Sequence, residues 1–184
     1  MKIPGLRSPY DQVGGLVYFG RMLDKIRLKE SGVLPADYNV GTKARFDFDS
    51  RCTRFLGVRY GALRQRVLAG GNDLQILRWC FQAGRKPSAE EFEIWNTFMM
   101  KRGWRDGSSA GLEADKAKAG LGKRKTIVTW FDLFDADEGQ PKGSGQPKEG
   151  QPKGSGRNLQ PADGNADVGL RGTKIRVEAS VALA

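Results

Sequence analysis

Apolar residues recur at spacings of three and four along the chain as far as Glu138, the period of helices that each bury one face. The sharpest case is residues 87–103. Pro87-Ser88-Ala89-Glu90-Glu91 has the form of a capping box with two acids in the first turn, Phe92, Trp95, Phe98 and Met99 make a wide apolar face, and Lys101-Arg102-Gly103 closes it. An aromatic stripe at that spacing is expected in the core. Ahead of it, Asn72-Asp73-Leu74-Gln75 caps a helix with Leu74, Leu77, Cys80 and Phe81 inward. A shorter helix around Ala62 to Leu68 turns Leu63 and Val67 inward and stops at Gly70-Gly71. A weaker helix runs from about Ser109 to Ala119, and a last one from Ile127 to Asp137 is anchored by Ile127, Trp130, Phe131 and Phe134.

The first third is less regular. Ser8-Pro9-Tyr10-Asp11 predicts a helix start, weakened at once by Gly14-Gly15, which either break the helix or let another element approach closely. From Gly20, Leu23 and Ile26 one turn apart predict a surface helix docked by one face, with Arg21, Asp24, Lys25 and Lys29 in solvent, ending at Ser31-Gly32. Pro35 opens a loop through Tyr38 and Asn39 that leads into Phe48–Gly57. That stretch combines Asp49 and Ser50 as helix-capping residues, Arg51 and Arg54 about Cys52, an apolar pair in Phe55 and Leu56, and a glycine to stop on.

Seven or so short helices with brief connections, and no alternating run among them, predict an all-α compact domain over residues 1–138. Residues 139–184 differ in kind. Gln-Pro-Lys recurs three times among Gly and Ser, the composition of a low-complexity linker expected to be mostly disordered. Beyond it, Thr173 to Val181 alternates as a strand does, without a partner strand. Composition draws the same boundary, because no aromatic residue follows Phe134.

Charge changes the picture less. The net charge is +10, divided as +7 before Gly139 and +3 after it, so no polybasic arm stands out. A basic surface attracts anions without selecting among them. The absence of histidine is more exclusive: it removes Ser-His-Asp and Cys-His nucleophiles and His-based metal sites. Two cysteines 28 positions apart form no metal or redox motif and fit a reduced, cytoplasmic protein. No apolar run has the length of a membrane span, so no membrane association is expected. Asp135-Ala136-Asp137-Glu138-Gly139 lacks the residues a calcium loop needs downstream, and no metal or cofactor is expected.

Two chemistries fit the Phe48–Gly57 stretch. Cys52, near a helix start and beside two arginines, has surroundings that favour thiolate, and it is the candidate catalytic residue; a small buried residue is the plainer reading. The stretch also fits an anion site, with Arg51 or Arg54 forking onto a carboxylate or phosphate, and Asp49, Tyr38, Asn39, Trp104 and Arg105 completing its walls. An Arg-Asp network that pins loops to the core would use the same residues.

Arg7-Ser8-Pro9, Gly14-Gly15, Asp24-Lys25, Phe48-Asp49-Ser50-Arg51-Cys52 with Arg54-Phe55-Leu56-Gly57, Glu93-Ile94-Trp95-Asn96 and Lys101-Arg102-Gly103-Trp104 together resemble an uncharacterised bacterial family of small helical cytosolic proteins, a domain of unknown function. The resemblance covers about residues 1–139 and implies no activity, cofactor or partner. It implies that proline can stand at the position of Gly20, favouring a helix break there. Arg59 and Lys125-Thr126 stand where the family pattern has acids, and Lys43 to Asp47 resembles an insertion, so much of the positive charge is this member's own.

The expected function is therefore a soluble helical binding module with an anion-accepting, arginine-rich site, whose partner is an anionic small molecule or macromolecule. The first alternative is a histidine-independent enzyme or ligand sensor using Cys52, Tyr38 or Lys25. The second is nucleic-acid binding by diffuse positive charge. Oligomeric state is left open.

Overall fold

A computed structural model describes residues 2–41 and 47–140. The chain opens with a two-stranded antiparallel hairpin, β1 (Gln12–Val13) and β2 (Leu16–Val17), pairing Gln12 with Val17 and Val13 with Leu16. This corrects the expected helix at Ser8. Gly14 and Gly15 are the two residues between the strands, with φ of +56° and +85°, the left-handed pair that a two-residue hairpin turn of matching twist requires. Gly14 serves a second purpose. A Cβ there would lie 2.7 Å from a Leu77 methyl, so the expected close approach is also present. Ser8 turns the chain instead of capping a helix, its carbonyl accepting from the Asp11 N–H at 3.1 Å.

Seven helices follow among the described residues: α1 (Phe19–Glu30), α2 (Phe48–Leu56), α3 (Tyr60–Leu68), α4 (Asp73–Ala83), α5 (Ala89–Lys101), α6 (Ser109–Lys118) and α7 (Trp130–Asp137). The domain is all-α apart from the small hairpin. Three helices begin with capping boxes, Asn72 with Gln75, Ser88 with Glu91 and Thr129 with Asp132. The last of these was not foreseen, because its partner is Asp rather than Glu or Gln. α2 ends on Gly57 with φ +69°, as its glycine predicts.

α1 overturns the expectation of a surface helix. Phe19, Met22 and Leu23 have no exposed surface, and Arg21, Asp24 and Lys25 are buried with them. The helix lies between the hairpin and α3, so its charged face meets the loops before α2 and after α7 instead of water. Helical periodicity reports only where apolar groups lie; here the polar face is buried too, because each charge finds a partner. Asp24 accepts from the Arg7 Nε at 2.6 Å, and Arg7 and Arg27 both reach Asp73, at 2.7 and 2.8 Å. Gly20 is the second residue of α1, so the helix begins at this position and does not break there.

The main core gathers Leu16, Phe19, Met22, Leu23, Cys52, Leu56, Leu63, Ile76, Met99 and Phe131. Leu63 and Val67 point inward as expected. Leu74 and Phe98 do not: they are 47% and 39% exposed, and the inward face of α4 is Ile76, Leu77 and Cys80. The domain runs past the boundary drawn at residue 138. Glu138 is buried, and the Gln140 side chain donates to the Leu6 carbonyl at 2.9 Å. The rest of the 139–184 tail, with its alternating segment at 173–181, lies outside the described residues, as does most of the insertion at Lys43 to Asp47.

Candidate binding cavity

The loop around Tyr38, the first turn of α2, and the helices α6 and α7 enclose a cavity of about 450 Å³ over the polar face of α1. Its floor is two buried ion pairs supplied by α1. Lys25 Nζ donates to Asp49 Oδ1 at 2.7 Å, to the Asn39 carbonyl at 2.7 Å and to the Tyr18 hydroxyl at 3.0 Å, so its three hydrogens are all engaged. Asp49 also accepts from the Tyr18 hydroxyl at 2.8 Å and from the Gly41 N–H at 2.8 Å. The second pair is Arg21 with Glu138. The guanidinium makes two hydrogen bonds to the carboxylate, one of them 2.9 Å, and the Tyr38 hydroxyl donates to the same carboxylate at 2.9 Å.

Burial and partnership pull these groups in opposite directions. Burial lowers the Lys25 pKa below the usual lysine value, opposed by the Asp49 charge and its hydrogen bond. Burial would lower Arg21 as well, but Glu138 outweighs it and the guanidinium is raised. The Tyr38 phenol is pushed up by burial, then by the charges of Glu138 and Asp137, and that of Tyr18 is pushed well up by burial and Asp49. Tyr18 also holds φ +68°, an uncommon conformation for a residue with a side chain. Neither phenol is poised to give up a proton near neutral pH.

One corner of the cavity is basic and tightly built. Trp130 ties it together, its backbone N–H donating to the Arg102 carbonyl at 3.0 Å and its indole N–H to the Ser108 hydroxyl at 2.7 Å. Arg51 and Arg102 stand over the same ring, that of Phe98, with guanidinium carbons 5.2 and 5.7 Å from its centre. Burial lowers Arg51, and the charges of Arg102 and Arg54 lower it further. Arg102 is anchored by Asp106, which also accepts from the Gly103 and Ser108 N–H groups at 3.1 and 2.8 Å.

Of the residues expected to form an anion site, the cavity brings together Arg51, Tyr38, Asn39 and Asp49. Arg54 is exposed and does not line the cavity. Trp104 and Arg105 stack on each other outside the cavity, at 5.3 Å. Asp49 is not a helix cap: α2 begins at Phe48 with Asp47 as its N-cap residue, and the Asp49 carboxylate is spent on Lys25, Tyr18 and Gly41. Cys52 faces the core with no exposed surface, and burial pushes its thiol well up, followed by the Asp49 and Cys80 charges. That is the reverse of an activated nucleophile. Among described residues the sequence reading missed Arg21, Glu138, Tyr18 and Arg102. Only Glu138 carried a signal, as an acid at a helix C-terminus where the dipole disfavours one.

These features define a small helical domain with a polar cavity whose floor is prepaired charge. The chain belongs to a family described as a domain of unknown function, DUF5069, which matches residues 3–140. The match spans all seven helices and every residue of the cavity named above. No curated protein matches the chain. No described helix is long and apolar enough to cross a membrane.

Proposed function

We propose that this domain is a cytoplasmic binding module that takes a small anion-bearing molecule into the cavity, with Arg51 and Arg102 meeting its carboxylate or phosphate. The observation that carries this reading is the pair of guanidiniums over one Phe98 ring at a cavity wall. After burial, the Arg102 charge disfavours that of Arg51, with Asp106 opposing it, and a further anion beside the two guanidiniums would offset the repulsion while accepting charge-assisted hydrogen bonds. Tyr38 and Trp130 supply flat apolar surface beside it. The two free buried cysteines support a reducing compartment. Lys25 is less suited to be a nucleophile than its depressed pKa suggests, because all three of its hydrogens are already committed.

A thermal-shift screen of the full chain against carboxylates, sugar phosphates and nucleotides, at low and moderate salt, tests the proposal. A ligand at one hundred times its Kd adds about 2.7 kcal/mol of stability. The expected hit persists at moderate salt and disappears in Arg51→Ala, each protein's response being read against its own unliganded midpoint. A response that fades with salt and ignores Arg51→Ala would instead indicate diffuse charge attraction.

A further inference from the structure

Residues 33–40 run along one wall of the cavity between two glycines of positive φ, Gly32 just past α1 (+72°) and Gly41 (+88°), so each end of the segment sits on a residue with wide backbone freedom. The segment contains neither helix nor strand. Its apolar side chains, Leu34, Tyr38 and Val40, pack on Ile3, Leu6 and Leu28, a small cluster separate from the main core. Toward the cavity, three of its groups reach three different charged residues. The Tyr38 hydroxyl donates to Glu138 at 2.9 Å, the Asn39 carbonyl accepts from Lys25 Nζ at 2.7 Å, and the Gly41 N–H donates to Asp49 at 2.8 Å.

These three bonds act as latches, and they can be released without breaking the ion pairs beneath them. Lifting the segment takes one hydrogen bond from each of Glu138, Lys25 and Asp49, but leaves Arg21 with Glu138 and Lys25 with Asp49. Opening therefore gives up charge-assisted hydrogen bonds and a satellite cluster, whereas unfolding gives up the buried pairs and the main core as well. An element held in this way opens at lower cost than the whole domain unfolds. Tyr38, Asn39 and Gly41 line the cavity, so opening uncovers its floor.

We infer that residues 33–40 are a strap that opens and closes as one unit over the cavity, hinged at Gly32 and Gly41 and latched on the two ion pairs of the floor. Opening governs access to the cavity whatever molecule the cavity takes. The ion pairs then have a second role, since they hold the strap's latch points at fixed positions while the strap moves. Because the latches close together, loosening one loosens the others.

Two readouts on the full chain test this. Native-state hydrogen exchange by NMR compares the Gly41 amide, held by Asp49, with the Leu23 amide inside α1; acetic anhydride acylation of Lys25 under native conditions, followed by mass spectrometry, reads access to the floor. In the parent, Gly41 is expected to be at least about tenfold less protected than Leu23, and its exchange to be insensitive to low urea. Tyr38→Phe removes only a hydroxyl that lies three residues from Gly41 and bonds a different carboxylate. It is expected to raise Gly41 exchange and Lys25 acylation by a common factor of about ten or more, with Leu23 exchange rising less. Gly41 as protected as Leu23 in the parent would mean that the segment opens only when the domain unfolds, which overturns the strap without recourse to a variant. In Tyr38→Phe, unchanged Gly41 exchange, unchanged Lys25 acylation beside faster Gly41 exchange, or all three rates rising equally overturns it as well.

Discussion

Arg21 and Glu138, 117 positions apart, form a buried ion pair that fastens the end of α7 to the first turn of α1. The pair closes the cavity floor. Breaking one member of a buried pair leaves the other charge without compensation, which costs about 3–5 kcal/mol. Glu138→Gln is expected to lose stability in that range by urea denaturation, and Arg21→Met with Glu138→Leu to regain much of it. A loss below about 1 kcal/mol for Glu138→Gln would mean that water compensates the guanidinium.

The cysteines are expected to be silent. Burial raises both thiols, Cys80 to about 12, so neither presents thiolate at neutral pH. Native protein treated with iodoacetamide should remain unmodified over the time in which urea-unfolded protein reacts at both positions. Selective labelling of Cys52 in the native state would restore it as a candidate nucleophile.

The hairpin glycines separate two effects. Gly15→Ala meets no neighbouring atoms and bears only the cost of its left-handed backbone, about 1 kcal/mol. Gly14→Ala bears the same cost and also a 2.7 Å approach to Leu77, so it should be the more destabilising of the two by thermal denaturation.

Acid should act through Asp73. Burial alone would raise its pKa, but hydrogen bonds from Arg27 and Arg7 lower it below the ordinary 3.8. A depressed folded-state pKa contributes stability that is present above the unfolded value and lost as pH falls through it and then through the folded value. Asp73→Asn should therefore flatten the fall in stability below about pH 4. It should change little in the slope between pH 5 and 7.

Filling the core at Phe19 offers a measure of how far α1 organises the fold. Its ring has no exposed surface, and Phe→Ala at such a site costs about 3–5 kcal/mol. Phe92→Ala, at a half-buried ring on α5, should cost less in the same assay.

The sequence by itself determined most of the helices and several of their ends. Ser88 with Glu91, Asn72 with Gln75, and Gly57 act through atoms within a few residues, so their chemistry is legible in one dimension. The same locality made Leu63, Val67 and Cys80 readable as core, and put Arg51, Tyr38, Asn39 and Asp49 among the candidates for one site. Where two local signals competed at Ser8 to Gly15, the glycine pair prevailed, because two positive-φ residues match a hairpin turn better than they fit a helix. What only the tertiary structure decided is which polar faces are buried. Arg21 and Lys25 read as solvated because their partners, Glu138 and Asp49, lie 117 and 24 residues away, and no spacing rule connects them. Long-range charge pairing depends on how α1 is enclosed, and enclosure belongs to the packed chain.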